Sequence, residues 1–175
     1  MKSNITMELL KLDHAQDLYL LTDSNRAYLK EWLPWLDQIQ SVDDTTKFIE
    51  STIEVSSSGG APNFAILSES AICGVAGFNE INKQHRIGYI GYWLAQKYTG
   101  KGVVMQVVKE LLRIGFGEFN LNKIEIRCAE GNTKSRRIPE RLGFTYEATL
   151  RQSEWLYSKY VNHAIYSILS AEYNA

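Results

Sequence analysis

The chain has 175 residues, 45% of them hydrophobic and 22% charged, with a formal net charge of −1 at pH 7. That is the size of one globular domain spanning residues 1–175, able to bury about two thirds of its unfolded surface. The near-neutral balance excludes the broad electrostatic attraction that holds nucleic acid or an anionic membrane surface, and no apolar run approaches the length of a membrane span.

In chain order, ITMELLKL (Ile5–Leu12) alternates as a first strand. Asp13 is placed to cap a helix through HAQDLYLLTDSNRAYLKEWL, which Pro34 interrupts. A second helix starts near SVDDTTKFIESTIEV, capped by Ser41 or Asp43, with Phe48, Ile49 and Ile53 as its apolar stripe. SSSGGAP (Ser56–Pro62) is a loop. Three strands joined by short hairpins follow: Asn63–Ser68, Ala71–Ile81 and Arg86–Leu94.

After a glycine turn comes a helix near Val103–Phe119, then a strand at Lys123–Ala129. A short helix through TKSRRIPERLG begins at the capping residue Asn132 and ends at Gly143. The last strands lie near Phe144–Leu150 and Glu154–Ser170. This order predicts an α+β chain in which the strand–helix–strand unit at Arg86–Ala129 is a parallel crossover.

Cys73 and Cys128 each sit in an apolar, strand-like run, which reads as two buried thiols serving as small hydrophobes. His14, His85 and His163 are scattered, and no spacing suggests a metal site. The first residues, MKSNITMELLKLDH, hold no apolar signal core, so a cytoplasmic location is expected.

The turn Thr99-Gly100-Lys101-Gly102 before a helix suggests phosphate binding, because free N–H groups and the helix dipole favour an anion there. It lacks the hydroxyl residue after Lys101 that a nucleotide-cleaving loop uses for magnesium. It also has Met105 where a dinucleotide loop carries its third glycine. The turn alone equally fits glycines that serve only its backbone.

YTGKGVV, a long helix, a strand and then NTKSRRIPERLGF together resemble the GCN5-related N-acetyltransferase (GNAT) superfamily, whose members bind acetyl-CoA. In that family's loop R/Q-x-x-G-x-G/A, Thr99 stands in the first place, Gly102 in the central one and Val104 in the last. Asn132, Ser135 and Leu142-Gly143-Phe144 match N-x-x-S-x-x-x-x-x-x-L-G-F, and Pro139 replaces a common family tyrosine. YLKEWLPWLD and IGYWL are similar to the branch that acetylates ribosomal-protein N-termini, the RimJ/RimL type.

The resemblance implies a mixed, mostly antiparallel central sheet with a splayed parallel strand pair and flanking helices. It implies acetyl-CoA as co-substrate and no metal. Pantetheine would slot beside Tyr92, Trp93 and Leu94, and the pyrophosphate would meet Thr99, Gly100, Lys101, Gly102, Val103 and Val104. Asn132, Ser135 and Arg136 would complete the coenzyme site, with Ser135 protonating the departing thiolate. Glu154 takes the place of the branch's base, with Glu80 and His85 as weaker alternatives. Tyr28, Glu31, Trp32 and Trp35 would wall the acceptor cleft, with Glu31 or Asp37 suiting a cationic peptide terminus.

Neither cysteine lies in the proposed reacting loop or helix, so direct transfer is expected rather than an acetyl-enzyme. The acceptor implied is a ribosomal-protein N-terminal amine. A small amine such as a polyamine or aminoglycoside, and a non-catalytic coenzyme A-binding module, remain alternatives. No direct nucleic-acid or membrane partner is expected, and a homodimer is suggested by the resemblance and the aromatic-rich ends.

Overall fold

The computed structural model describes residues 4–173. Seven strands form one sheet: β1 (Ile5–Leu9), β2 (Asn63–Ser68), β3 (Ala71–Asn82), β4 (Ile87–Leu94), β5 (Lys123–Ala129), β6 (Thr145–Leu156) and β7 (Lys159–Leu169). Their order is β1-β2-β3-β4-β5-β7-β6, and every neighbouring pair is antiparallel except β4 and β5. The predicted mixed, mostly antiparallel sheet therefore holds.

Period-two alternation divides the strands between two cores. On β2, Ile66 joins one core while Ala65 and Leu67 join the other. Helices α1 (Ala15–Ser24) and α3 (Val42–Ser57) cover the second face, where Leu18 and Ile49 meet Leu67 and Val75. Helix α4 (Val103–Arg113) covers the first. Its Val107, Val108, Leu111 and Leu112 lie within a turn or so of one another on one side and pack with Ile124, Ile126 and Tyr166. A short α2 (Arg26–Leu29) follows α1, and α5 (Thr133–Arg141) follows β5.

Several sequence expectations need correction. Strand β1 stops at Leu9, because Leu12–His14 winds into a 3-10 turn. Asp13 lies inside that turn, and α1 starts after His14 with no side-chain cap. The first helix breaks at Asn25, well before Pro34, and the Asn25 amide turns back to the Leu21 carbonyl. Phe48 is not core: it is 39% exposed. The predicted break between the last two strands is a bulge within β6, and the hairpin turns at Tyr157–Ser158. Ser41 caps α3 as expected, accepting from the Asp44 amide.

The sheet opens at one place. Strands β4 and β5 pair only from Ile87 with Lys123 to Ile90 with Ile126. A register shift in β3 between Phe78 and Glu80 sits beside Ile90, the last paired residue of β4. Such bulges increase local twist, which turns β4 away from β5 beyond this point.

Candidate active site

Past Ile90 and Ile126, Gly91–Leu94 and Arg127–Ala129 face each other with no ladder between them. Their outer edges stay fixed, β4 against β3 and β5 against β7. The gap is thus a wedge with rigid walls and free backbone groups, the kind of edge that pairs with an extended amide-bearing ligand. Tyr92, Trp93 and Leu94 all lie along it.

At the end of β4 the chain makes a 3-10 turn at Gln96–Tyr98 and enters α4 through Thr99–Gly102. Gly100 and Gly102 have φ of +75° and +77°, the left-handed conformation that glycine adopts without strain. Gly102 is the N-cap residue and offers no side chain, so the first amides of α4 keep their hydrogen-bonding capacity. Val104 is half-buried against the main core, so the larger residue is absorbed by packing. Thr99 Oγ1 donates to the Gln96 carbonyl and serves the turn itself. Lys97 and Lys101 both lie over the Tyr98 ring, at 4.9 and 5.7 Å from its centroid.

Ser135 stands at the start of α5, next to the gap. Asn132 caps this helix, its Oδ1 accepting from the Ser135 amide at 3.1 Å. Pro139 has no N–H to give the Ser135 carbonyl, and that carbonyl accepts instead from the Tyr92 hydroxyl at 3.2 Å. The protein thus satisfies this carbonyl internally. The sequence places Tyr92 beside pantetheine but does not reveal its hydroxyl bridge to Ser135. Burial pushes the Tyr92 phenol well up, so it stays protonated, with the Ser135 bond a partial offset.

Cys128 also borders this point, lining the cleft with Ser135 and Tyr92. Cys128 lies on β5 rather than in the reacting loop or in α5, and β5 brings it to the cleft wall. Burial pushes its thiol up, partly offset by Ser135 and Arg136, and Cys73 is pushed up to about 11. Both thiols are free and protonated at neutral pH, so Cys128 is a poor nucleophile despite its position.

Arg136 turns inward. Its Nε donates to the Tyr166 hydroxyl at 2.8 Å, and one terminal nitrogen reaches the Glu130 carbonyl. Tyr166 in turn donates to Glu140 at 2.7 Å. This arrangement clamps α5 onto β7.

The wedge opens into a cleft of about 1170 Å³. Trp32, Leu33, Pro34 and Trp35 form one wall, α3 supplies Phe48, and Glu154, Ser153 and His163 stand opposite. Trp35 and Trp93 rings lie 6.2 Å apart, and the Tyr157 hydroxyl donates to the Leu33 carbonyl at 2.6 Å. Tyr28 and Glu31 do not line this cleft: Tyr28 lies beneath Lys134, and Glu31 is exposed elsewhere. Asp37 is held by Lys30 at 2.7 Å. Glu80 and His85 are exposed around the β3–β4 hairpin, at the paired end of β4, away from the gap. Among the described residues, no group of three or more His, Cys, Asp or Glu side chains is placed to hold a metal. None of their helices is long and apolar enough to cross a membrane.

The geometry agrees with comparisons to known proteins. Residues 4–145 match the family model described as acetyltransferase (GNAT) domain. The chain is 30% identical over 155 residues to the ribosomal-protein-serine acetyltransferase of Escherichia coli, covering 89% of this chain and 87% of that protein. The structure of the ribosomal L7/L12 alpha-N-protein acetyltransferase RimL with coenzyme A superimposes with a TM-score of 0.92 at 25% identity, over 97% of this chain and 95% of that one. The microcin C7 self immunity acetyltransferase MccE, with acetyl-CoA and AMP, gives 0.89 at 30% identity, over 94% and 92%.

Proposed function

The chain belongs to the acetyltransferase (GNAT) family, and from that membership we propose that it acetylates the N-terminal amine of a ribosomal protein, with acetyl-CoA as donor. The observation that carries the acceptor reading is the deep cleft with aromatic and acidic walls that meets the wedge at Ser135. The two named ribosomal-protein acetyltransferases, matched over most of the chain, support it. All seven strands share one sheet, which supports a single catalytic domain over the whole chain.

Transfer is direct. Pantetheine extends between β4 and β5, and the pyrophosphate meets the amides at the start of α4, with Lys101 beside them. A backbone N–H near Trp93 or Leu94 polarises the thioester oxygen. The neutral amine attacks the thioester carbon, forming the C–N bond as the C–S bond breaks. Glu154 accepts the amine's proton, directly or through water, the Ser135 hydroxyl gives one to the leaving sulfur, and the proton held by Glu154 returns to the serine through water. Trp32 and Trp35 hold the acceptor's first residues. Asn132 fixes Ser135, and Arg136 supports α5 from behind.

The enzyme acts in the cytoplasm, where its donor and acceptor meet. Two copies pair through the β6–β7 hairpin, where Trp155 and Tyr160 are 53% and 59% exposed and meet edge-to-face at 4.9 Å. Light scattering reads this directly: a monomer mass at micromolar concentration rules the pairing out.

The test is an intact-mass screen of purified bacterial ribosomal proteins with acetyl-CoA. One acetyl group on a protein's N-terminal residue is the expected result. Acetylation of polyamines or aminoglycosides alone would overturn the protein acceptor in favour of a small amine.

A further inference from the structure

Glu154 does not stand alone. Its Oε2 lies 3.3 Å from Nε2 of His163, on the neighbouring strand, and both side chains face the cleft. They are 26% and 17% exposed, so the pair is shielded but still reachable from the cleft.

An irregularity in the sheet creates this contact. Leu150 pairs with His163 and Glu154 with Val161, so β6 advances four residues while β7 moves two. The two extra residues bulge outward around Gln152, whose φ is 49°. The Gln152 amide donates to Asn162 Oδ1 at 2.9 Å, and Asn162 Nδ2 donates to Glu130 Oε2 at 2.9 Å. Asn162 therefore ties the bulge to the end of β5, and the bulge returns the chain so that Glu154 meets the His163 ring.

We infer that His163 is a positioning residue for acetyl transfer that works through Glu154. The inference rests on the reading of Glu154 as the base. With hydrogen on Nε2, the imidazole donates to one carboxylate oxygen and leaves the other for the amine or its bridging water. The ring is fixed by its strand and its burial. One bond from it restricts a carboxylate that would otherwise sample several rotamers at a strand edge.

Nearby charges do not compete for Glu154. Arg127 pairs with Glu125 at 2.9 Å and lies over the Tyr89 ring, and Glu130 is engaged by Asn162. Among the described residues, His163 is the one basic side chain within ion-pair distance of Glu154. Both residues lie beyond the part of the chain that matches the family model.

The test is a double-mutant cycle on the initial rate of ribosomal-protein acetylation at saturating acetyl-CoA. His163→Ala should lower that rate about tenfold, with the KM for acetyl-CoA unchanged, because a loosened base loses its near-attack geometry. His163→Gln, whose amide can donate to the same oxygen, should recover most of the loss. His163→Asn, too short to reach, should not, and it replaces the alanine variant if that one fails to fold.

In a Glu154→Gln background, His163→Ala should cost nothing further, since the group it acts through is gone. A wild-type rate in His163→Ala overturns the inference. Multiplicative losses in the double variant also overturn it, because they mark a purely structural role. Full activity in Glu154→Gln overturns the base reading itself, and thereby separates that failure from a failure of His163 alone.

Discussion

The Tyr92 hydroxyl lies 3.2 Å from both the carbonyl oxygen and the side-chain oxygen of Ser135. A phenol has one proton, and it goes to the carbonyl. The second bond must then be donated by Ser135 Oγ to the phenolic oxygen. Ser135 thus rests with its proton directed at Tyr92, and rotation of the hydroxyl about its Cβ–Oγ bond re-aims that proton at a thiolate. Burial keeps the phenol protonated, so it cannot act as a base at neutral pH.

Ser135→Ala should lower kcat about a hundredfold, the scale of a lost general acid, with little effect on folding. Tyr92→Phe should act differently. It strands the Ser135 carbonyl that Pro139 leaves open, costing about 1 kcal/mol of stability, and frees the serine rotor. Its kcat should fall less than that of Ser135→Ala while its melting temperature falls more. Equal melting temperatures in the two variants would contradict the bridge.

Gly102 should be irreplaceable for a backbone reason. A Cβ there meets nothing within 4 Å, but its φ of +77° makes any L-residue strained. Gly102→Ala should cost about 1 kcal/mol in folding. If the chain relieves that strain by moving the turn, the α4 amides move with it and acetyl-CoA binds more weakly. Calorimetric titration should show a Kd raised about tenfold, whereas an unchanged Kd would separate the turn from phosphate binding.

Much of this site is legible in the sequence because its signals are local. The boundaries of β2 and β5, the cap at Asn132 and the turn at Gly102 all follow from neighbouring residues. What the sequence hides depends on pairing across the sheet. The Tyr92–Ser135 bridge spans 43 positions, and its one clue is chemical: Pro139 removes a donor, so another group satisfies a half-buried carbonyl. The Glu154–His163 contact needs a two-residue bulge that alternation does not reveal, and the same bulge made one strand look like a break. The resemblance implies a wall of Tyr28, Glu31, Trp32 and Trp35, yet a short helix and an irregular turn aim Tyr28 and Glu31 elsewhere.

Stability should fall in mild acid because of His14. This side chain is buried, and its Nδ1 accepts from the Lys11 amide, so it must be neutral on that nitrogen. Burial, followed by the nearby Lys11 charge, lowers its pKa, while Glu8 and Asp13 pull the other way. A lowered base means the unfolded chain binds a proton that the folded chain refuses. Stability is therefore lost as pH falls from the ordinary imidazole value of about 6.5 through the folded pKa. Urea midpoints measured from pH 8 to pH 5 should decline in the native chain. His14→Gln should flatten that slope, and a slope unchanged by the substitution would assign the acid sensitivity to other groups.

Trp35 should govern the acceptor and leave the donor alone. Its ring lies 6.2 Å from that of Trp93, tilted at 56°, an aromatic contact worth about 1 kcal/mol beyond simple burial. Trp93 belongs to the splayed part of β4 and packs on the second core, so Trp35 leans on the wall of the wedge from the acceptor side. Trp35→Ala should raise the acceptor KM about tenfold, the scale of one lost aromatic wall, while the KM for acetyl-CoA stays within about twofold. Trp35→Phe should keep most of the apolar surface and fall between the two. If both KM values rise together, the Trp35–Trp93 contact is shaping the wedge, and the loop around Pro34 supports the coenzyme half of the site.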